Sequence, residues 1–302
     1  MPESVLADQL VQASFDGVAA ATEGPPLVFA SQAAPGANIG QAWDAATGIA
    51  IGPPIPDFPA DRAGWAFGAP AGSPVVAWTH RDRVHVHDLG TGRETAVDGQ
   101  PDLVGLAAHT GRAAVVGVFG PASDAEVVVW DVVTGERLAA FTVWLGHRTA
   151  IDRWVLHATP ATGPLIGLPG DSAVSLLDVE RGEEVASLPA ACTVLGPTPD
   201  GLVAVQPAPD ALHVRGLDGG QLAVLPTGNP CDLVAVSADD PLVAAACADD
   251  PGTVLVWAAA ATGAAPSFGV KVPSPVNDLA VAPGATLVAA TDTGLYTASL
   301  PG

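Results

Sequence analysis

The chain has 302 residues, of which 49% are hydrophobic and 14% charged, with a formal net charge of −21. Such a surface repels nucleic-acid phosphates and anionic lipids, so we expect neither nucleic acid nor membrane as a direct partner. The 34 glycines and 29 prolines favour many short strands joined by turns over long helices.

The N-terminal residues predict a β-strand at about residues 4–12. The start, Met-Pro-Glu-Ser-Val, has neither the basic residues nor the apolar run of a signal peptide, and no apolar stretch is long enough to span a membrane. The three cysteines are an odd number, which does not indicate a disulfide framework. We therefore expect a reduced, cytoplasmic protein in which Cys192 and Cys231 are small buried hydrophobic residues.

A repeat then runs through the chain. Its clearest copies are QAWDAATGIAI from Gln41 and VVVWDVVTGERL from Val127, in which an apolar strand leads into Trp-Asp and then Thr-Gly. Weaker copies keep the same frame, and the predicted turn glycines are Gly48, Gly92, Gly135, Gly182, Gly220 and Gly263. Their separations of 44, 43, 47, 38 and 43 residues match the length of a four-stranded propeller blade.

The last copy, which runs to the end of the chain, contains only three strands. Its segments NDLAVAPGA, TLVAATDT and GLYTASL have no fourth partner, which the N-terminal strand can supply. Closing a ring in this way removes the exposed edges of an open array. Six turn-bearing copies and one composite copy predict an all-β fold: a single seven-bladed β-propeller over residues 1–302, built of four-stranded antiparallel blades.

The repeat resembles the WD40 family. The matching residues are Trp43-Asp44, Trp130-Asp131, Gly146-His147 and the turn Pro199-Asp200-Gly201. The resemblance implies that the first strand of each blade is innermost and begins on the top face, beside the central channel. It also implies a structural bond between His147 and Asp171, and protein or peptide partners on the top face.

Alignment of the first strands predicts a binding site on that face. Asp102, Asp152, Asp232 and Asn277 fall at equivalent positions, and Arg62 lies nearby in the second blade. A partial ring of carboxylates focuses negative potential and attracts cationic groups. The alternative is that these residues are solvated loop residues or turn caps.

The segment at residues 142–154, TVWLGHRTAIDRW, leads to the same face. It contains Trp144, Arg148 and Arg153 in a chain with few residues of either type. Because Trp and Arg are enriched at interaction hot spots, we include all three among the candidate binding residues.

The sequence favours binding over catalysis. It contains no Gly-x-Ser-x-Gly elbow, no phosphate-binding Gly-Lys loop and no His-Glu-x-x-His motif, and it predicts no catalytic residue and no cofactor. His85 and His87 share one strand face and could bind zinc or copper, but His87 also occupies the position of the repeat tryptophan.

These features make an interaction scaffold for a basic or cationic partner the first hypothesis. The alternative is a propeller that binds a small molecule or metal, with or without catalysis, at the mouth of the central channel. A third hypothesis, a purely structural subunit, predicts an extended apolar patch.

Overall fold

The computed structural model describes residues 3–21, 24–32, 38–59, 64–146, 155–159, 163–169, 173–189, 192, 194–198, 201–237, 242–259 and 265–300. These residues form a seven-bladed β-propeller of four-stranded antiparallel sheets, which confirms the predicted fold class. Within the described ranges, no helix is long and apolar enough to cross a membrane.

The strands follow one another in chain order, and each blade takes four of them. The N-terminal strands are β1 (Glu3–Leu6) and β2 (Asp8–Val11). Blades 1 and 2 contain β3 (Phe15–Ala20), β4 (Leu27–Gln32), β5 (Ile39–Asp44), β6 (Ala50–Pro56), β7 (Trp65–Gly68), β8 (Val75–His80), β9 (Arg83–Asp88) and β10 (Arg93–Asp98). Blades 3 and 4 contain β11 (Leu103–His109), β12 (Arg112–Phe119), β13 (Ala125–Asp131), β14 (Arg137–Val143), β15 (Val155–Thr159), β16 (Gly163–Pro169), β17 (Ala173–Asp178) and β18 (Glu183–Pro189). Blades 5 to 7 contain β19 (Val194–Thr198), β20 (Gly201–Pro207), β21 (Ala211–Gly216), β22 (Gln221–Pro226), β23 (Cys231–Val236), β24 (Leu242–Cys247), β25 (Thr253–Ala258), β26 (Phe268–Lys271), β27 (Val276–Ala282), β28 (Thr286–Thr291) and β29 (Leu295–Ser299).

The two ends of the chain meet in blade 7, as predicted. Strand β2 pairs antiparallel with β29 and supplies the missing fourth strand. The predicted strand at residues 4–12 is nevertheless divided, because β1 adds to blade 6 as a fifth strand, parallel to β26. The chain crosses between the two blades at Ala7, whose side chain is buried and whose N–H donates to the Lys271 carbonyl at 2.9 Å. One N-terminal segment thus covers the outer edges of two blades.

The first strands of the blades form the inner ring of the propeller. Strands β3, β7, β11, β15, β19, β23 and β27 each contact the first strand of the next blade, and β27 contacts β3. Because strands alternate in direction, the start of the first strand, the turn between the second and third strands, and the end of the fourth strand share one face. We refer to this face as the top face, and to the opposite one, with the turns between third and fourth strands, as the bottom face.

The core lies between the blades, which explains the nearly continuous apolar strands. In β12, Val116 and Val118 pack toward blade 4, whereas the preceding Val115 packs toward blade 2, and all three are fully buried. Alternate side chains of a strand point to opposite faces of its sheet, so a blade between two neighbours needs apolar residues at both sets of positions.

The bottom-face turns depend on the Asp and Gly of the repeat. In blades 1 to 4 the Asp carbonyl accepts the N–H of the turn glycine at 2.8–2.9 Å, and that glycine has positive φ; the four glycines are Gly48, Gly92, Gly135 and Gly182. Positive φ is unfavourable for residues with a Cβ atom, so glycine fits this position. In blade 5 the structure corrects the prediction, because Gly219 rather than Gly220 has positive φ. Gly263 lies outside the described residues.

Two of the cysteines form a disulfide bond, which corrects the expectation that all three are unpaired. Cys231 and Cys247 lie opposite each other on the adjacent strands β23 and β24 and are covalently joined. Cys192 is the free cysteine and is buried, as predicted. Burial raises the pKa of the Cys192 thiol, although Arg215 acts in the opposite direction. The spacing of the cysteines did not reveal the pair, because strand register decides which residues face each other.

Candidate functional site

Four of the predicted binding residues lie within the described structure, namely Asp102, Asp232, Asn277 and Trp144, and all four are on the top face. Asp232 and Asn277 occupy the second position of their first strands, and Asp102 immediately precedes β11. The other predicted site residues, Arg62, Arg148, Asp152 and Arg153, lie outside the described residues, as do His147 and Asp171.

A shared backbone irregularity places Asp232 and Asn277 at equivalent positions. The first strand of blade 6 is bulged between Cys231 and Leu233, and that of blade 7 between Val276 and Asp278. Blade 1 has the same bulge between Phe15 and Gly17, which adds Asp16 to the set. A bulge leaves one residue out of the ladder pairing and redirects its side chain. Asp16 was not predicted, because the start of the first blade is weakly marked in the sequence. The similarity of Phe15-Asp16-Gly17 to Cys231-Asp232-Leu233 was the signal that could have identified it.

The members of this set differ in what their side chains do. Asp16 and Asp232 are exposed, and their carboxylates make no hydrogen bond or ion pair with other described residues. Asp102 is also exposed, but one carboxylate oxygen accepts the N–H of Gly120 at 2.9 Å.

Asn277 instead links blade 7 to blade 1. Its side-chain amide donates to the Phe15 carbonyl at 3.0 Å and to the Asp292 carboxylate at 2.8 Å. The neighbouring Asp278 makes a second link by accepting the N–H of Val18 at 2.9 Å. The position therefore has a structural function in this blade, at the seam where the ring closes.

The top face as a whole is acidic. Exposed aspartates occur there in first-strand starts, in turns between second and third strands, and after fourth strands, namely Asp16, Asp57, Asp82, Asp98, Asp102, Asp124, Asp210, Asp232, Asp249, Asp250 and Asp292. Two basic side chains of this face are already paired with its carboxylates, Arg83 with Asp98 and Lys271 with Asp250, each at 2.9 Å. Hydrogen bonds from Lys271 and Thr253 lower the pKa of Asp250.

Trp144 adds a large apolar group to this face. It follows β14, at the connection toward the next blade, and 64% of it is exposed. The adjacent Leu145 is buried in the core between blades 3 and 4, which fixes the start of the connection. Trp144 is thus exposed on the top face, and its use in binding stays a prediction.

The histidines considered for metal binding lie elsewhere. His85 and His87 share a face of β9, as predicted, but this face packs between blades 1 and 2, toward the outer strands of the blades. His85 stacks on Trp78 with ring centroids 5.3 Å apart. Burial lowers the pKa of His85, His80 and Arg83 lower it further, and Glu94 opposes them. Within the described part of the chain, no three His, Cys, Asp or Glu side chains are placed to hold a metal ion.

Comparison with known proteins identifies the fold and no family. No protein-family model matches the sequence, and no curated protein is similar to it. Among solved structures, 693 chains match. They include Kuenenia stuttgartiensis hydrazine synthase, which has a TM-score of 0.65 and 12% identity over 98% of this chain and 97% of that one. At this identity the similarity shows a shared fold and nothing about activity. The resemblance to WD40 repeats stays a prediction.

Proposed function

We propose that this propeller is an interaction scaffold whose top face binds a basic protein or peptide. The observation that carries the proposal is the repeated placement of exposed carboxylates where the first strands begin, at Asp16, Asp102 and Asp232. Three inner strands present the same acidic group on the same face, so their potentials add.

The availability of these carboxylates distinguishes them from other aspartates of the chain. On the bottom face, Asp44, Asp88, Asp131 and Asp178 each accept two backbone N–H groups within their own turn. Asp16 and Asp232 make no such bonds with other described residues, so their hydrogen-bonding capacity is open to a partner. Arg is the best-suited complement, because its guanidinium can bind a carboxylate with two parallel hydrogen bonds.

The chemistry of the face also predicts how the complex responds to salt. Exposed charges are screened over about 8 Å at physiological ionic strength, so association through these aspartates weakens as salt rises. Trp144 supplies an apolar contact that salt does not weaken. We expect a complex whose rate of association falls with salt and whose residual affinity depends on Trp144.

The test is a pull-down from the native host lysate at low and high salt, with partners identified by mass spectrometry. A triple variant, Asp16→Asn, Asp102→Asn and Asp232→Asn, removes three charges with little change in shape. The control, Glu136→Gln with Glu183→Gln, removes two exposed charges from bottom-face turns. We expect a basic partner that the wild type and the control retain at low salt and the triple variant loses.

Two results would contradict the proposal. One is a partner that the triple variant retains as well as the wild type does. The other is equal loss from the triple variant and the bottom-face control, which would attribute binding to net charge alone. If a folded bait recovers no partner, the channel mouth becomes the next region to test with small ligands.

A further inference from the structure

A pocket of about 290 Å³ lies between blades 1 and 2, on the outer side of the ring. One wall is the outer strand of blade 1, with Pro53, Pro54 and Pro56. The other is the facing surface of blade 2, with His85, His87 and Glu94. The volume is close to the lower end of the range typical of small-molecule sites.

An irregularity in β6 shapes the first wall. Gly40 pairs with Ile55 and Ala42 pairs with Ile51, so residues 52–54 have no opposite partners and bulge from the blade. The buried Gln41 holds this bulge, since its amide nitrogen donates to the carbonyls of Ile51 at 3.0 Å and Gly52 at 3.3 Å. Pro53 and Pro54 are therefore held in a fixed, exposed position facing blade 2.

The floor of the pocket is aromatic and rigid. Trp78 packs against Phe58, with ring centroids 5.8 Å apart, within the core between the two blades. His85 stacks on Trp78 and closes the floor from the side of blade 2. A flat apolar group between the proline rings and His85 would bury its surface without rearranging the core.

His87 gives the pocket an unused polar atom. The residue is only 6% exposed, and its Nδ1 atom has no hydrogen-bond partner among the described residues. The nearest carboxylate oxygen, on Glu94, is 4.0 Å away, which is too far for a hydrogen bond. Buried polar atoms in native proteins are rarely left without a partner. In the tautomer with the ring proton on Nε2, His87 Nδ1 is an acceptor. This atom and the Glu94 carboxylate oxygen can then share one donor nitrogen placed about 2.9 Å from each.

We propose that this pocket binds an ammonium or guanidinium group carried on a small apolar body. The nitrogen donates to His87 Nδ1 and to the Glu94 carboxylate, while the apolar body lies between the proline wall and His85. Glu94 and Asp57, which both line the pocket, disfavour an anion. The cation can belong to a free organic amine or to a lysine or arginine side chain. The proposal rests on the pocket alone and does not require the top-face function.

Calorimetric titration of the full chain with defined probes tests this proposal. Benzylammonium carries the cation on a flat body, and benzyl alcohol is its neutral counterpart. The methylamides of N-acetyl-lysine and N-acetyl-arginine represent protein side chains. We expect saturable binding of at least one cation at millimolar concentrations and much weaker binding of the alcohol. Binding of benzylammonium alone indicates a free amine, and preference for a methylamide indicates a docked side chain.

Three variants locate the binding. Glu94→Gln removes the charge and should weaken cation binding about tenfold, because a charge-assisted hydrogen bond is replaced by a weaker neutral one. Glu184→Gln is the matched control, since Glu184 has the corresponding cross-strand position in blade 4, opposite Leu177 instead of a histidine. His87→Phe keeps an aromatic ring and removes the Nδ1 acceptor, so it should abolish binding in a protein that still folds.

The proposal is wrong if no cation binds saturably. That result would mean that the gap between His87 and Glu94 holds only water. It is also wrong if benzyl alcohol binds as well as benzylammonium. Equal affinity in Glu94→Gln and Glu184→Gln, or full affinity in His87→Phe, would likewise place the cation elsewhere.

Discussion

The top and bottom faces use the same residue, aspartate, in two different ways. On the bottom face the carboxylates are buried or half-buried and satisfied by the backbone of their own turns, as for Asp88, Asp131 and Asp178. On the top face, Asp16 and Asp232 are exposed at bulges that start the inner strands. The position of the residue relative to its turn, and not the residue type, decides whether a carboxylate stabilises the fold or remains available for binding.

Basic side chains pair with carboxylates on both faces. Arg112 and Arg181 lie beside the bottom-face aspartates Asp131 and Asp178, in each case at 3.6 Å. Arg83 and Lys271 pair in the same way with top-face aspartates. The two faces therefore differ in which carboxylates the backbone satisfies, and not in the presence of basic partners. Four experiments test this difference between the faces, beginning with the substitution that should destabilise the protein most.

Removal of a bottom-face carboxylate should cost the most. Asp131→Ala eliminates hydrogen bonds to Oδ1 from Val133 N–H at 2.9 Å, Thr134 N–H at 2.8 Å and the Thr134 hydroxyl at 3.1 Å. We expect the free energy of unfolding to fall by about 2 kcal/mol, as for the loss of a good helix cap or a small buried network. Urea denaturation measures it, and a loss below about 0.5 kcal/mol would contradict a structural function of this side chain.

The same carboxylate should make the protein sensitive to acid. Burial acts to raise the pKa of Asp131, but hydrogen bonds from Thr134 and Val133, together with Arg112, leave it below its ordinary value of 3.8. The folded state then binds fewer protons than the unfolded state, so this stabilisation is present above pH 3.8 and is lost as the pH falls through the folded-state pKa. The stability difference between wild type and Asp131→Asn should therefore shrink on acidification, in urea titrations at several pH values. A constant difference would contradict the assignment.

An intermediate effect is expected at the seam between blades 7 and 1. Asn277→Ala removes hydrogen bonds to the Phe15 carbonyl and to Asp292, and the half-buried site allows water to replace part of them. We expect a loss of about 1 kcal/mol in thermal or urea unfolding. If Asn277→Ala left the free energy of unfolding unchanged, closure of the ring would not depend on this link.

The smallest effect on stability is expected from the exposed top-face residues. Asp232→Asn should change the free energy of unfolding by less than about 0.5 kcal/mol, as is usual for surface substitutions. It should nevertheless weaken binding of a basic partner at low salt more than at high salt. Surface plasmon resonance at two salt concentrations, with Glu183→Gln as control, measures the salt dependence of partner binding. If Asp232→Asn destabilised the protein as much as Asp131→Ala, the two faces would not differ in the way described.

Local patterns in the sequence were sufficient for the fold but insufficient for the site. The Asp and Gly of each repeat act within one turn, so their spacing predicted the blades. The missing fourth strand of the last copy predicted the closure by β2. The bulge that exposes Asp16 and the facing of Cys231 with Cys247 depend on strand register. The pocket at His87 depends on a bulge in another blade, and no pattern within one repeat contains that information.

The most direct test of the top-face proposal is hydrogen–deuterium exchange of the protein alone and in complex with the basic partner that it retains at low salt. Slower exchange in residues 81–83, 120–125, 208–210 and 248–252, which form top-face turns, is the predicted result. Slower exchange confined to the bottom-face turns at residues 45–49, 89–92 and 132–136 would contradict the account.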